Sequence, residues 1–579
     1  MHEQLDTKML AHLNARKIPT PAQLAYLPRI LSVKEKRSLL VALLVFIVAG
    51  ALLGGRTWLR VTTASPKSGG SYTEGLIGSP RFINPVLTSS NDADRDISSL
   101  VYAGLFRIDA TGGLIPDMAD SVSVSEDQKV YTIALKENLT WHDGEPVSVE
   151  DIVYTMHTIQ DPALKSPLRV TFVGIAVTRV DRNTVMFSLQ RPSPSFLSAL
   201  TVGILPEHIW YSIPTAQAHL AEYNIKPIGS GKYKFKTLTK DSTGVIRSMT
   251  LQRFDQFHGA RPYIDELTFK FYADFPTALE ALQNKNVEGL SFLPISYQEA
   301  LKDSKNIELK QLTIPQYNAL FFNPENNALL KDRAIRSALA KAVDRDRIVR
   351  EALGDNGTAI MAPLIPGFNG DMTASNKLSY DPDAAKSILD ETGWKFAEGA
   401  TVRTKDEAEL AVRITTIDQD ANIQAANIIR ENWEAVGLKA SVDIISRERI
   451  RKDIIEPRAY EILLFGQIIT SGPDTYALWH SSQNLHPGNN LSVLANKDVD
   501  QALETLRNTT DAVAQTELYQ KFIDKIAEEV FAVFLYNPQY LYPISRSIHG
   551  TENLSRIAVP ADRFASISDW YVKVSRNLK

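Results

Sequence analysis

Between Ser38 and Gly54 the chain runs SLLVALLVFIVAGALLG, uncharged and strongly apolar throughout. At a helical rise of about 1.5 Å per residue this run reaches roughly 26 Å, close to the least that crosses a bilayer core. Trp58 extends the crossing into the headgroup layer. Lys34, Lys36 and Arg37 bracket it on one side and Arg56 and Arg60 on the other, with no amphipathic stripe of the kind a core helix shows. Ala49 and Ala51 around Gly50 resemble a signal cleavage site, but the preceding arm is far longer than a usual charged leader, which favours an uncleaved anchor. That arm carries Lys8, Arg16, Lys17, Arg29, Lys34, Lys36 and Arg37 against Glu3, Asp6 and Glu35, an excess that holds it in the cytoplasm. The expectation is a single-pass cell-membrane protein with its main domain on the extracytoplasmic face.

The 579 residues are too many for one core, so the part beyond the anchor is expected to form two or three domains. A net charge of -4 with no basic stripe outside the arm argues against nucleic acid as a partner. Zero cysteines exclude a disulfide framework, a thiolate metal site, a cysteine nucleophile and a lipidated cysteine together. A protein retained at the outer face is then held by the apolar helix itself.

Residues 1–37 read either as short helical or irregular pieces near the inner membrane surface or as a disordered tail, and residues 62–73 (TTASPKSGGSYT) as a flexible linker. Tyr131, Ile133 and Leu135 alternate with polar or small neighbours as in a half-buried strand, and Val185, Phe187 and Leu189 repeat the pattern. A helix is predicted to start near Ser148, with Glu150 and Asp151 in its first turn. Asp332 suits a helix cap before Ile335, Ala338, Leu339, Ala342 and Val343, and Asp381 another, with Pro382 at the first position and Gly393 past the end. A third helix over residues 422–436 closes at Gly437. Strands follow at 438–444 and 462–469, so this region is α/β.

Several stretches, taken in order, resemble one family: the extracytoplasmic solute-binding proteins of peptide-type ABC transporters, which include oligopeptide-, dipeptide- and nickel-binding receptors. They are Asn84-Pro85 with residues 100–105 (LVYAGL), residues 141–146 (WHDGEP), residues 229–233 (GSGKY, with Lys232 where proline is common), residues 317–324 (YNALFFNP) with 332–345 (DRAIRSALAKAVDR), residues 363–367 (PLIPG), and residues 380–382 (YDP) with Gly393-Trp394. The resemblance implies an α/β, two-lobe periplasmic-binding-protein fold of class II with an extra small domain. Its expected division is a cytoplasmic arm 1–37, anchor 38–57, linker 58–73, lobe I from 74–105, 224–315 and 537–579, the small domain 106–223, and lobe II 316–536. It implies a non-enzymatic receptor that captures peptides or a similar solute by hinge closure and works with ABC transporter permease subunits, without a cofactor. A sensor or envelope-assembly protein reusing the fold is the alternative.

In such receptors an extended peptide is gripped through its backbone, as in strand addition. The matching ligand positions are Thr88, Ser89, Ser90 and Asn91, Tyr317, then Phe465, Gly466, Gln467, Ile468 and Ile469, and Asp474 with Tyr476. Relatives that bind a free amino terminus usually carry an acid before the counterpart of Pro473, whereas residues 466–472 contain none. A buried ammonium lacking a carboxylate would be poorly compensated.

Other chemistry fits less well. Lys226 and Tyr233 occupy the places where a phosphate loop needs glycine and Ser/Thr around Gly229-Ser230-Gly231-Lys232. Asp143-Gly144 suits a turn better than a catalytic pair with His142, and His480 and His486 lack the spacing of a zinc site. Trp433 and Trp479 read as core residues.

Overall fold

A computed structural model describes residues 31–578, apart from residues 88–90, 110, 194–195, 366–367, 369–371, 373, 375, 470–474 and 510. It divides into two compact units, Met1–Lys67 with Lys573–Lys579, and Ser68–Val572.

In the first unit, helix α1 (Val33–Val61) runs past both ends of the apolar stretch. Ser32 starts it with a capping box: its Oγ accepts from the Glu35 N–H, and Glu35 Oε2 accepts from the Ser32 N–H at 2.9 Å. Among the described residues α1 is the one helix long and apolar enough to cross a membrane, and its apolar side chains are exposed. The stretch expected to be a flexible linker instead carries strand β1 (Thr62–Lys67), paired antiparallel with the strand Lys573–Leu578, from Thr62 opposite Leu578 to Lys67 opposite Lys573. A partner contributed by the far end of the chain turns a small polar run into a ladder, and Pro66 is tolerated because its strand is an edge. Residues 573–578, expected in lobe I, form the other strand of this ribbon.

In the second unit β2 (Ser71–Ile77) leads to helix α2 (Asp92–Val101). An antiparallel sheet follows, of β3 (Ala119–Val124), β4 (Val130–Leu135), β5 (Ala176–Arg179) and β6 (Thr184–Ser188) in the order β3-β4-β6-β5. Tyr131, Ile133 and Leu135 of β4 are buried, in the predicted alternation. Against this sheet packs α3 (Val149–Gln160), started by Ser148, whose N–H and Oγ both reach Asp151 Oδ2, at 2.8 and 3.0 Å.

The main sheet adds to β2 the strands β7 (Tyr233–Lys240), β8 (Ile246–Arg253), β9 (Glu266–Tyr272), β10 (Gly289–Leu290), β11 (Ile307–Thr313), β12 (Gln316–Phe322), β13 (Gly357–Ala359), β14 (Ala411–Ile417), β15 (Lys439–Ile445), β16 (Ile462–Ile468) and β17 (Ala532–Ser545). Its path is β15-β14-β16-β12-β17-β10-β2-β9-β8-β7, with β11 and β13 also on β17. Strand β17 belongs to both halves: Ala532 to Tyr536 pair with β12, and Gln539 to Ser545 with β11. The second crossing is Ile314-Pro315, between β11 and β12. Two lobes are thus joined by two extended crossings, as the two-lobe α/β reading expected.

The second lobe is covered on both faces. Leu320 and Phe322 of β12 point into one apolar cluster with Ile414, Leu464 and Trp433, whereas Tyr317, Ala319 and Phe321 enter another with Trp479 and Phe534. Helix α4 (Arg333–Lys341) is capped by Asp332, but it stops two residues before the predicted Val343. Asp344 caps a new helix, α5 (Arg345–Leu353), by accepting from the Arg347 N–H at 2.9 Å. Helix α6 (Pro382–Glu391) has the Asp381 cap, and α7 (Asp420–Glu434) ends before Gly437, whose φ of +96° suits glycine.

Candidate functional site

Strands β14, β15 and β16 are mutually parallel, as are β2, β9 and β10, so each lobe has a set of carboxyl ends where loops replace ladder. In open α/β sheets ligands bind in the crevice beyond such ends. Here a cavity of about 640 Å³ lies between the lobes, with Ser296, Gln298, Glu299 and Lys302 after β10 on one wall and Glu351, Asp420 and Gln424 on the other.

Strand β16 carries most of the predicted ligand positions. On one side it pairs with β12 along its whole length, Gln316 opposite Ile468 and Phe322 opposite Ile462. On the other, its ladder with β14 stops at Leu464 opposite Thr416. Among the described residues, positions 465–468 therefore present one backbone edge without a strand partner. At Gly466 a Cβ would come within 2.7 Å of Gln316 Nε2 and 3.1 Å of Asn318 Oδ1, side chains of the neighbouring β12. Ile468 is exposed, and Ile469 is buried with its N–H donating to the Pro315 carbonyl at 2.6 Å. That bond ties the end of β16 to a lobe crossing.

Tyr317 does not reach the cleft. It is fully buried, near-parallel to Trp479 at 6.5 Å, and its hydroxyl donates to Gln467 Oε1 at 2.7 Å. Gln467 is spent in turn, its Nε2 donating to the Asn489 carbonyl at 2.9 Å. Burial pushes the Tyr317 phenol well above its ordinary value, so it stays a neutral donor. Tyr317 is thus a prop beneath β16 rather than a ligand contact, and Phe465 is half-buried in the same cluster. Asn91 is equally occupied: it caps α2 by accepting from the Ala93 N–H at 3.1 Å, and its Nδ2 donates to the Ser79 carbonyl at 2.9 Å. Tyr476 opens the short helix α8 (Tyr476–Trp479), stacked on His480 at 4.1 Å with the Arg507 guanidinium 4.6 Å from its ring. Thr88, Ser89, Ser90 and Asp474 lie outside the described residues.

Sequence reasoning missed the first lobe's aromatic group, in which Phe292 sits 5.0 Å from Tyr540 and 6.1 Å from Phe275, with the Tyr540 hydroxyl bonded to the Ser291 carbonyl. It also missed Asp420 and Gln424, which look from sequence like an ordinary helix start. The WHDGEP stretch serves structure instead. His142 Nε2 donates to the Gly231 carbonyl at 3.1 Å and Nδ1 accepts from the Gly229 N–H at 3.2 Å, so one neutral imidazole clasps the 229–231 turn.

The fold thus has two α/β lobes joined by two chain crossings, a cavity lined from both, and a strand edge at residues 465–468. Residues 113–489 match the model of the bacterial extracellular solute-binding proteins, family 5 Middle, and the chain belongs to that family. The Oligopeptide-binding protein AppA of Bacillus subtilis is 26% identical over 534 residues, covering 89% of this chain and 96% of the relative. Its structure with a nonapeptide superposes with a TM-score of 0.67, at 25% identity over 88% of this chain and all of that one. NikZ of Campylobacter jejuni, solved with Ni(L-His), gives 0.69 at 25% identity over 86% of this chain and 99% of its own.

Proposed function

We propose that this protein is a membrane-anchored, extracytoplasmic peptide receptor of an ABC transporter, which captures its ligand by closing two lobes and performs no chemistry on it. The observation that carries the peptide assignment is the free backbone edge of residues 465–468, the natural partner of an extended main chain. Relatives with an oligopeptide-binding name and a bound nonapeptide support the same reading. Closure fits two lobes between which the chain crosses at residues 314–315 and 537–538, and a ligand drives it by its higher affinity for the closed state. Helix α1 then serves as anchor and keeps the receptor beside its permease at high effective concentration.

The functional division follows the crossings. Lobe I is proposed as 74–105, 224–315 and 537–572, the small domain as 106–223, and lobe II as 316–536. Since residues 465–472 carry no acid, the receptor grips a peptide by its backbone, without a strong clamp on the free amino terminus.

Native mass spectrometry of the full-length protein, purified gently in detergent from a bacterial host, tests this. The expected result is a ladder of peptide masses released on denaturation. An empty protein that also gives no thermal shift with peptide mixtures would instead favour a sensor or assembly role.

A further inference from the structure

A second cavity, of about 280 Å³, lies away from the crevice residues, where α2 and the 229–233 turn meet the start of segment 106–223. Tyr102 lines it, 5% exposed, and its buried hydroxyl has no hydrogen-bond partner. Buried polar groups are nearly always satisfied, so such a hydroxyl marks a missing partner. Three cations line the wall: Arg95, whose Nη2 lies 3.2 Å from Asp92 Oδ1, Lys232 and Arg107. Lys232 Nζ makes one bond, to the Ala565 carbonyl at 3.2 Å, and Arg107 has Asp117 Oδ1 no nearer than 3.9 Å, beyond hydrogen-bond range.

The carboxylates on this wall are already engaged. Asp117 Oδ1 is 2.8 Å from His258 Nε2, and Asp562 Oδ2 accepts from the N–H groups of Ala558 and Val559, both at 2.9 Å. What is left over is donor capacity: an ammonium, a guanidinium fork and a phenol. Burial, with the neighbouring Arg107 charge second, pulls Lys232 down to about 8 against the opposing pull of Asp117 and Asp569.

We propose that this cavity is a second ligand site, for a small oxyanion of the phosphate or carboxylate type, held by the Lys232 ammonium, the Arg107 guanidinium and the Tyr102 hydroxyl. Charge-assisted bonds of this kind are the strong ones, and a guanidinium fork matches two oxygens at once. The cavity admits a small anion and is separate from the peptide edge on β16, so it stands or falls independently of the peptide reading.

The test is isothermal titration calorimetry on the full-length protein in detergent and chloride buffer, with sodium phosphate and sodium acetate titrated separately at constant ionic strength. Saturable binding of either anion is expected, weakened roughly tenfold or more by Lys232→Met and by Arg107→Gln and unchanged by Gly466→Val on β16. Phosphate-preferring or acetate-preferring binding assigns the anion class. Arg107→Gln, at a partly exposed position, keeps the test readable if Lys232→Met does not fold. No saturable heat with either anion up to about 20 mM, or equal affinity in both variants, overturns the proposal.

Discussion

Asn537 donates through Nδ2 to the Ile314 carbonyl at 2.8 Å, so the two chain segments that pass between the lobes are bonded to each other at the crossing. The same amide reaches the Gln316 carbonyl at 2.7 Å, and Asn537 is buried. Pro315 and Pro538 flank this clamp and supply no N–H of their own.

Asn537→Leu removes a donor shared by two carbonyls and leaves them unsatisfied. A loss of about 1–3 kcal/mol is expected in denaturant unfolding, with the far-ultraviolet dichroism unchanged because both lobes keep their ladders. A stability equal to wild type would show that the crossing does not depend on this amide.

The His142 clasp makes stability pH-dependent. Burial is the main cause that holds the imidazole down at about 4, against an ordinary value of 6.5. As pH falls, the unfolded chain takes up the proton first, so stability complete above about 6.5 declines down to about 4 and no further from this group. The expected loss is at most about 3 kcal/mol, read from unfolding midpoints across that window. His142→Gln should lower stability at neutral pH and flatten the slope between those limits.

Arg563 is a third test. It is fully buried between Glu74, whose Oε1 accepts from Nε and Nη2 at 2.8 and 2.6 Å, and Asp96, whose Oδ1 accepts from Nη1 at 3.0 Å. The hydroxyls of Tyr72 and Tyr542 complete Glu74 on Oε2, at 2.6 and 2.8 Å. Arg563→Met strands two carboxylates in the core and should cost about 3–5 kcal/mol. Recovery in an Arg563→Met, Asp96→Asn, Glu74→Gln triple variant would identify the stranded charge as the cause.

Gly466→Val places a side chain against Gln316 and Asn318 of β12, beside the proposed peptide edge. Retained peptide in native mass spectra should fall roughly tenfold while the melting temperature moves by less than about 4 °C. Undiminished peptide would move the binding surface away from β16.

Local chemistry was legible in the sequence wherever a single turn decided it. Ser148 with Asp151, Asp332, and Asp381 with Pro382 all begin helices as their residue types require. Competing local signals were harder: the apolar period continues through Ala342 and Val343, but Asp344 restarts the helix with its own cap. The β1 ribbon was invisible because its partner strand lies at the opposite end of the chain. In the site, residues 462–469 read as a strand, which forms over Ile462–Ile468, yet Tyr317 was drawn into the crevice by its motif although its alternation on β12 points it into the core. Periodicity gives the face of a strand, but only the layers packed on it decide which face is open.

Closure is the central claim, and the absence of cysteine makes it directly measurable. Lys302→Cys and Gln424→Cys, exposed on opposite walls of the inter-lobe cavity, accept spin labels on the full-length protein in detergent. Pulsed dipolar distances before and after adding the peptide mixture recovered from the wild-type protein should shorten by several ångströms and sharpen into one population. An unchanged distance distribution, with peptide shown bound in the same sample by native mass spectrometry, would contradict hinge closure.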